Sequence, residues 1–255
     1  MSGMLDDYAG AASTPDVAVH ETAAELCDAV ARNLVDELAA AQARNGLASV
    51  VLTGGRTGIA VLERVRANPR IRNVDWSAVR IFWSDERFVP AGHPDRNEAQ
   101  ARDALLDHVP VDPRLVYPMG ASDDPYGTDS ATAAAAYSDL LRRMERPDCP
   151  LFDVCLLGVG EDGHVASLFP GHPASEEPLL AAVSVRDSPK PPSERISLTL
   201  GTIRSSAEVW LVTTGAAKTA AVADAFRGNT DFPASRAVGI ERTIWHLDRE
   251  AAGGL

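Results

Sequence analysis

Hydrophobic positions along this chain switch repeatedly between continuous apolar runs and a helical period. Residues 17–20 read as a short strand. Residues 21–45 follow as a long amphipathic helix, with Ala24, Cys27, Val30, Leu34 and Leu38 on one stripe and Asn45-Gly46 closing it. Residues 48–53 form a buried-strand run, 54–58 a tight loop, and 59–66 a helix with Val61, Leu62 and Val65 inward. Residues 79–83 give a third strand, which ends in Ser84-Asp85-Glu86-Arg87-Phe88, and 96–108 are expected to be helical. Residues 115–119 predict a short strand, the segment to Gly127 a loop, and 129–145 an Ala-rich helix capped by Thr128 or Asp129. After the apolar strand that starts at Phe152, two β-like runs, 179–185 and 195–200, flank the proline-heavy loop 188–192. Residues 208–214 predict a last central strand, 215–227 a helix and 243–247 a closing strand.

This alternation of strand and helix predicts an α/β fold, a three-layer, Rossmann-like and mostly parallel sheet with helices on both faces. No internal repeat or linker interrupts it, so a flexible N-terminal segment over 1–15 and a single domain over 16–250 are expected. No stretch approaches the roughly 20 apolar residues of a bilayer span, and the first residues lack the basic patch and apolar run of a signal peptide. Cys27, Cys149 and Cys155 have no metal-ligand spacing, which fits a reducing cytoplasm. The net charge of −12 argues against a nucleic-acid surface, because such surfaces rest on clustered cations. Only Lys190 and Lys218 are lysines, so each merits inspection.

Candidate chemistry gathers after the strands, where ligands collect in open α/β sheets. Gly54-Gly55-Arg56-Thr57 lies between a strand and a helix start, a place that suits a phosphate and equally suits an unliganded βα turn. It is neither a Walker loop nor a dinucleotide fingerprint. Gly215-Ala216-Ala217-Lys218 repeats the theme, with a lysine that opposes the helix dipole unless an anion is bound or water screens it. Arg87, after Asp85 and Glu86, would clamp a phosphate or carboxylate, or belong to a surface ion cluster; Arg195 opens a strand and would either reach a bound anion or simply be solvated. The strand from Phe152 ends in Gly158-Val159-Gly160 and delivers Glu161-Asp162-Gly163-His164, a histidine with an acid two residues before it. Such a pair suits a general base and its orienting carboxylate, with a core histidine as the competing view. Metal-ligand spacing is absent around Asp162, His164 and His172, and Ser167 has no nucleophile elbow.

Five segments taken together resemble the 6-phosphogluconolactonases: 52–57, 83–89, 158–170, 194–199 and 215–218. The resemblance implies the fold shared with glucosamine-6-phosphate isomerase. It also implies hydrolysis of 6-phospho-D-glucono-1,5-lactone in the oxidative pentose phosphate pathway, without metal or organic cofactor. By this similarity Gly54, Gly55, Arg56, Thr57, Arg87, Arg195 and Lys218 would hold the phosphate end of a small phosphorylated lactone. His164 would be the general base, and Asp85 and Asp162 would line the reacting end, either of them supporting the histidine. A cytoplasmic monomer or weak homodimer, with neither nucleic acid nor membrane as partner, is the corresponding expectation. Arg56 and Gly58 stand where the family more often has serine and proline. The isomerase branch carries a glutamate five residues after its histidine, and here that position is Phe169. A sugar-phosphate sensing domain is the non-enzymatic alternative, though no helix-turn-helix precedes residue 15.

Overall fold

The computed structural model describes residues 14–125 and 127–255, so the N-terminal segment expected over 1–15 lies outside the described residues except for Thr14 and Pro15. In chain order come β1 (Asp16–His20), α1 (Ala23–Asn45), β2 (Ala48–Leu52), α2 (Gly55–Ala67), β3 (Val79–Trp83), β4 (Asp85–Arg87), α3 (Asn97–Ala104), α4 (Ser130–Arg142), β5 (Phe152–Gly158), β6 (Ala182–Val185), β7 (Arg195–Leu198), α5 (Leu200–Arg204), β8 (Ser206–Thr213), α6 (Thr219–Phe226), α7 (Pro233–Arg236) and β9 (Arg242–Asp248). The long helix forms where its period placed it. Thr22 accepts from the Glu25 amide at its start, Leu26, Val30, Leu34 and Leu38 are buried along one stripe, and Gly46 ends it at φ 72°.

Six strands form one parallel sheet in the order β1-β9-β8-β5-β2-β3. Because successive side chains point to opposite faces, Val50, Leu52, Ile81 and Leu156 pack with α1, α2 and α3, while Val51, Phe82, Cys155 and Leu157 pack with α4, α6 and a second, smaller sheet. That second sheet is antiparallel, in the order β4-β7-β6. The three-layer parallel architecture is as the sequence predicts, with this small sheet added to one outer layer.

Four local expectations change. Residues 115–119 are not a strand: Pro113–Leu115 is a 3-10 turn and Val116 makes one isolated bridge to Ile81, since Pro118 has no N–H with which to extend a ladder. The loop 54–58 is mostly helix, because α2 already begins at Gly55 and only Gly54 is extended. Gly55 opens it at φ 78°, a left-handed conformation that glycine adopts without strain. The helices expected over 96–108 and 215–227 are each split, into α3 plus a 3-10 turn at Leu106–His108 and into a 3-10 turn at Ala216–Lys218 plus α6.

The topology itself selects a place for chemistry. After β2 the chain steps outward to β3, whereas after β5 it steps the other way, to β8 and then β9. The reversal leaves a crevice at the carboxyl ends of β2 and β5, where the connections part. Gly54 and Gly158 flank that crevice, and the Gly158 amide donates to Thr53 Oγ1 at 3.3 Å. Among the described residues no helix is long and apolar enough to cross a membrane.

Candidate active site

The chain leaves β5 and folds back at once. The Gly160 amide donates to the His164 carbonyl at 2.8 Å, the Gly163 amide to the Gly160 carbonyl at 3.1 Å, and Val159 bridges Val165. This turn lays the imidazole of His164 over Gly160. A Cβ at position 160 would sit 1.9 Å from His164 Nδ1 and 2.4 Å from Asp162 Oδ1, so only glycine admits the arrangement. Ala166, two residues on, holds a positive φ of 50°, a conformation that non-glycine residues adopt at a cost.

His164 Nδ1 lies 2.5 Å from Asp162 Oδ1. A carboxylate can only accept, so in the neutral imidazole the proton belongs on Nδ1, which leaves Nε2 the lone pair a general base needs. Burial pushes the Asp162 carboxyl up, but the hydrogen bond and charge of His164 outweigh it and hold the group well below the usual carboxylate range. It is therefore ionised at neutral pH. The His164 side chain remains 14% exposed, within reach of water. The Phe169 ring packs against it with centroids 4.6 Å apart.

Asp85 occupies a different place. It is buried, its Oδ2 accepts from Ser167 Oγ at 2.6 Å, and its Oδ1 accepts from Asn97 Nδ2 at 3.2 Å. Of the two carboxylates expected beside His164, Asp162 touches the imidazole, while Asp85 fastens the turn after His164 onto β4. Two further residues support this joint. Asn97 Nδ2 donates to the Asp85 carbonyl at 2.8 Å, its Oδ1 accepts from Arg87 Nη1, and its amide fills the space a Cβ on Gly54 would need. Glu86, 1% exposed, accepts from the amides of Arg87 (2.8 Å), Asn97 (2.7 Å) and Glu98 (2.9 Å) and faces Arg96 Nη2 at 3.7 Å. Burial pushes the Glu86 carboxyl up against the pull of Arg96 and those amides. Glu86 thus caps α3 from another segment. Replacing it with alanine leaves the Asn97 and Glu98 amides without their acceptor, while Arg96 keeps Glu98 at 3.3 Å and the Met119 carbonyl at 2.7 Å; a destabilisation of about 1–3 kcal/mol is expected from the urea unfolding midpoint.

The cations lie around this frame. Arg87 and Arg195 are cross-strand partners on β4 and β7, which places two like charges on one face of the small sheet. Burial lowers the Arg195 pKa, Asp85 opposes that shift and Arg87 adds to it. Arg56 sits exposed in the first turn of α2, and Thr57 Oγ1 is 2.9 Å from Thr214 Oγ1, which ties the start of that helix to the end of β8. Lys218 Nζ lies 3.9 Å from Glu161 Oε1. Burial lowers its pKa and the charges of Lys190 and Arg56 lower it further, against Glu161 and Asp162. The structure thus groups Gly54, Gly55, Arg56, Thr57, Lys218, Asp162 and His164 about the crevice, with Asp85, Arg87 and Arg195 in the adjoining small sheet. Sequence reasoning missed Asn97 and Glu86 as a cap, and singled out Lys190 without giving it a role. Only Lys190 carried a signal, its rarity.

The family described as Glucosamine-6-phosphate isomerases/6-phosphogluconolactonase matches residues 21–245. The chain belongs to this family. It is 48% identical over 248 residues to a 6-phosphogluconolactonase of Streptomyces coelicolor, covering 95% of each chain. Its fold superposes on the structure of 6-phosphogluconolactonase from Trypanosoma brucei with a TM-score of 0.81, at 30% identity over 95% of this chain and 99% of that one. A monomeric glucosamine-6-phosphate deaminase shares the fold alone, with a TM-score of 0.77 at 22% identity over 94% of this chain and 100% of that one. Fold therefore does not separate the family's two activities, and the separation rests on the residues at the site. Among the described residues, no three His, Cys, Asp or Glu side chains are grouped to hold a metal ion.

Proposed function

We propose that this protein hydrolyses 6-phospho-D-glucono-1,5-lactone to 6-phospho-D-gluconate, a step of the oxidative pentose phosphate pathway. The observation that carries this reading is the His164–Asp162 pair at 2.5 Å, set in the switch-point crevice with Lys218 and Arg56 beside it. A lactone is already an activated ester, so it needs an activated water and a held substrate, not a covalent nucleophile. Nε2 of His164 takes a proton from water as its oxygen bonds to C1. The tetrahedral intermediate then collapses, the bond from C1 to the ring oxygen breaks, and the proton returns from Nε2 to that oxygen as it leaves as the C5 hydroxyl. Asp162 keeps the imidazole in the required tautomer and stabilises it while protonated.

The phosphate would sit where Lys218, Arg56 and the free amides at the start of α2 converge, with Thr57 beside it and Arg87 and Arg195 adding charge from the small sheet. Its binding supplies remote energy that positions C1. The isomerase reading is disfavoured by Phe169: the ring in contact with His164 cannot relay a proton where that branch has a glutamate. The protein is read as a single unit over 16–250 that works in the cytoplasm as a monomer or weak homodimer on a free small molecule, with no organic cofactor, nucleic acid or membrane involved.

The test is acid release from freshly generated 6-phosphogluconolactone. Turnover far above spontaneous ring opening is expected, and no turnover of glucosamine 6-phosphate. Absence of any excess over the spontaneous rate would overturn the reading, and tight binding of 6-phosphogluconate without hydrolysis would support a sensing domain instead.

A further inference from the structure

The segment 188–192 between β6 and β7 contains three prolines, Pro189, Pro191 and Pro192, which have no N–H to donate. Its carbonyls therefore look elsewhere for donors, and one side chain supplies them. Arg195 Nε donates to the Pro192 carbonyl at 3.0 Å, and its Nη2 donates to the carbonyls of Lys190 at 3.0 Å and Pro191 at 3.1 Å. Ser188 closes the other end: its Oγ donates to the Lys190 carbonyl at 3.0 Å, and its amide donates to the Ser193 carbonyl at 2.9 Å. The remaining nitrogen of the same guanidinium, Nη1, reaches Ser167 Oγ at 3.4 Å, in the turn that carries His164. Arg195 thus bolts this strap to the His164 turn, with Nε and Nη2 spent on the strap's carbonyls and Nη1 also facing Asp85 Oδ2 at 3.8 Å.

Lys190 is the one charged residue of the strap, and it is half-buried. Its charge is felt at Asp162 and at Lys218, with Lys218 also feeling Arg56. Arg195 ties the Lys190 carbonyl to Ser167, three residues from His164, so the strap that carries one of the chain's two lysines is fixed beside the turn whose charges the other one feels. Gathering like charges costs energy unless an anion joins them, and a phosphate monoester brings a charge of about −1.5 to −2 at neutral pH.

We propose that the strap 188–192 is a substrate-binding element, in which Lys190 contacts the phosphate of the bound sugar lactone and Arg195 is a positioning residue that holds the strap in register with His164. This deepens the lactonase reading and rests on it. It assigns a ligand that the sequence resemblance did not include and moves Arg195 from ligand to support.

The test compares wild type, Lys190→Ala, Arg195→Lys and the double variant on 6-phosphogluconolactone and on unphosphorylated glucono-1,5-lactone, with the Kd of 6-phosphogluconate measured alongside. Lys190→Ala is expected to raise KM for the phosphorylated lactone and the Kd about tenfold, as for loss of one charge-assisted contact, with kcat within about threefold. Its kcat/KM on the unphosphorylated lactone stays at the wild-type value. Arg195→Lys keeps the charge but cannot span three carbonyls. A similar rise in KM is expected, and the double variant is no worse than the single ones, because both changes disable one element.

Equal losses on both lactones would overturn the proposal and make Lys190 a partner of Asp162, and an unchanged KM would make the strap inert. Additive losses would return Arg195 to direct contact with substrate. A wild type that hydrolyses the phosphorylated lactone while Lys190→Ala matches it defeats this inference alone. A wild type without hydrolysis defeats the underlying reading, and the 6-phosphogluconate affinities then decide the strap by themselves.

Discussion

Replacing His164 with asparagine is expected to lower kcat on 6-phosphogluconolactone by about 10²–10⁴-fold, the usual worth of a positioned general base, with KM nearly unchanged. The split follows from geometry. His164 reaches the crevice from the turn after β5, whereas the cations proposed for the phosphate come from α2, the small sheet and the segment after β8. Ground-state binding should therefore survive loss of the imidazole. Asparagine keeps a polar group of modest size over Gly160, so the turn itself should persist, which an unchanged circular dichroism spectrum and unfolding midpoint would verify. Steady-state rates corrected for spontaneous opening give the answer, and kcat within about threefold of wild type would remove His164 from the role of base.

Asp162→Asn is the second large effect, and it separates orientation from presence. The amide is nearly isosteric, but its nitrogen offers N–H to His164 Nδ1, where the carboxylate only accepted. The imidazole then gains by placing its proton on Nε2, the nitrogen that must take one from water, and the positive charge it develops loses its counter-ion. A fall in kcat of about 10²-fold or more is expected, smaller than for a buried triad carboxylate because Asp162 is 41% exposed and water can partly replace it. Asp162→Glu, which retains the charge at a longer reach, should recover part of the loss. A structural role alone would instead show as an altered unfolding midpoint with kcat intact. Asp85→Asn offers a contrast, since its carboxylate meets Ser167 and Asn97 and not the imidazole.

Much of this site was legible in one dimension. The glycine-bounded delivery of Asp162 and His164, the anion-suited turn at Gly54 and the lysine at 218 each carry a local signature, because steric permissiveness, helix N-termini and charge are properties of short segments. Other features had none. Glu86 stands in the same acidic stretch as Asp85, yet one carboxylate caps a helix that starts at residue 97 and the other accepts from Ser167. Composition cannot distinguish them, since the partners lie eleven and eighty-two residues away. Arg195 is implied as a phosphate ligand by the resemblance, and only the positions of three carbonyls show that its Nε and Nη2 hold a neighbouring segment.

The sequence by itself determined the alternation of strands and helices, the parallel sheet, and which connections end in catalytic residue types, because hydrophobic period and turn chemistry act within a few residues. Tertiary structure alone decided which carboxylate meets His164, that β4, β6 and β7 form a separate antiparallel sheet, and that Arg195 ties the segment around Lys190 to the turn that carries His164. Those outcomes depend on loop closure and on the desolvation of charges brought together from distant segments, and both are set only when the chain has folded.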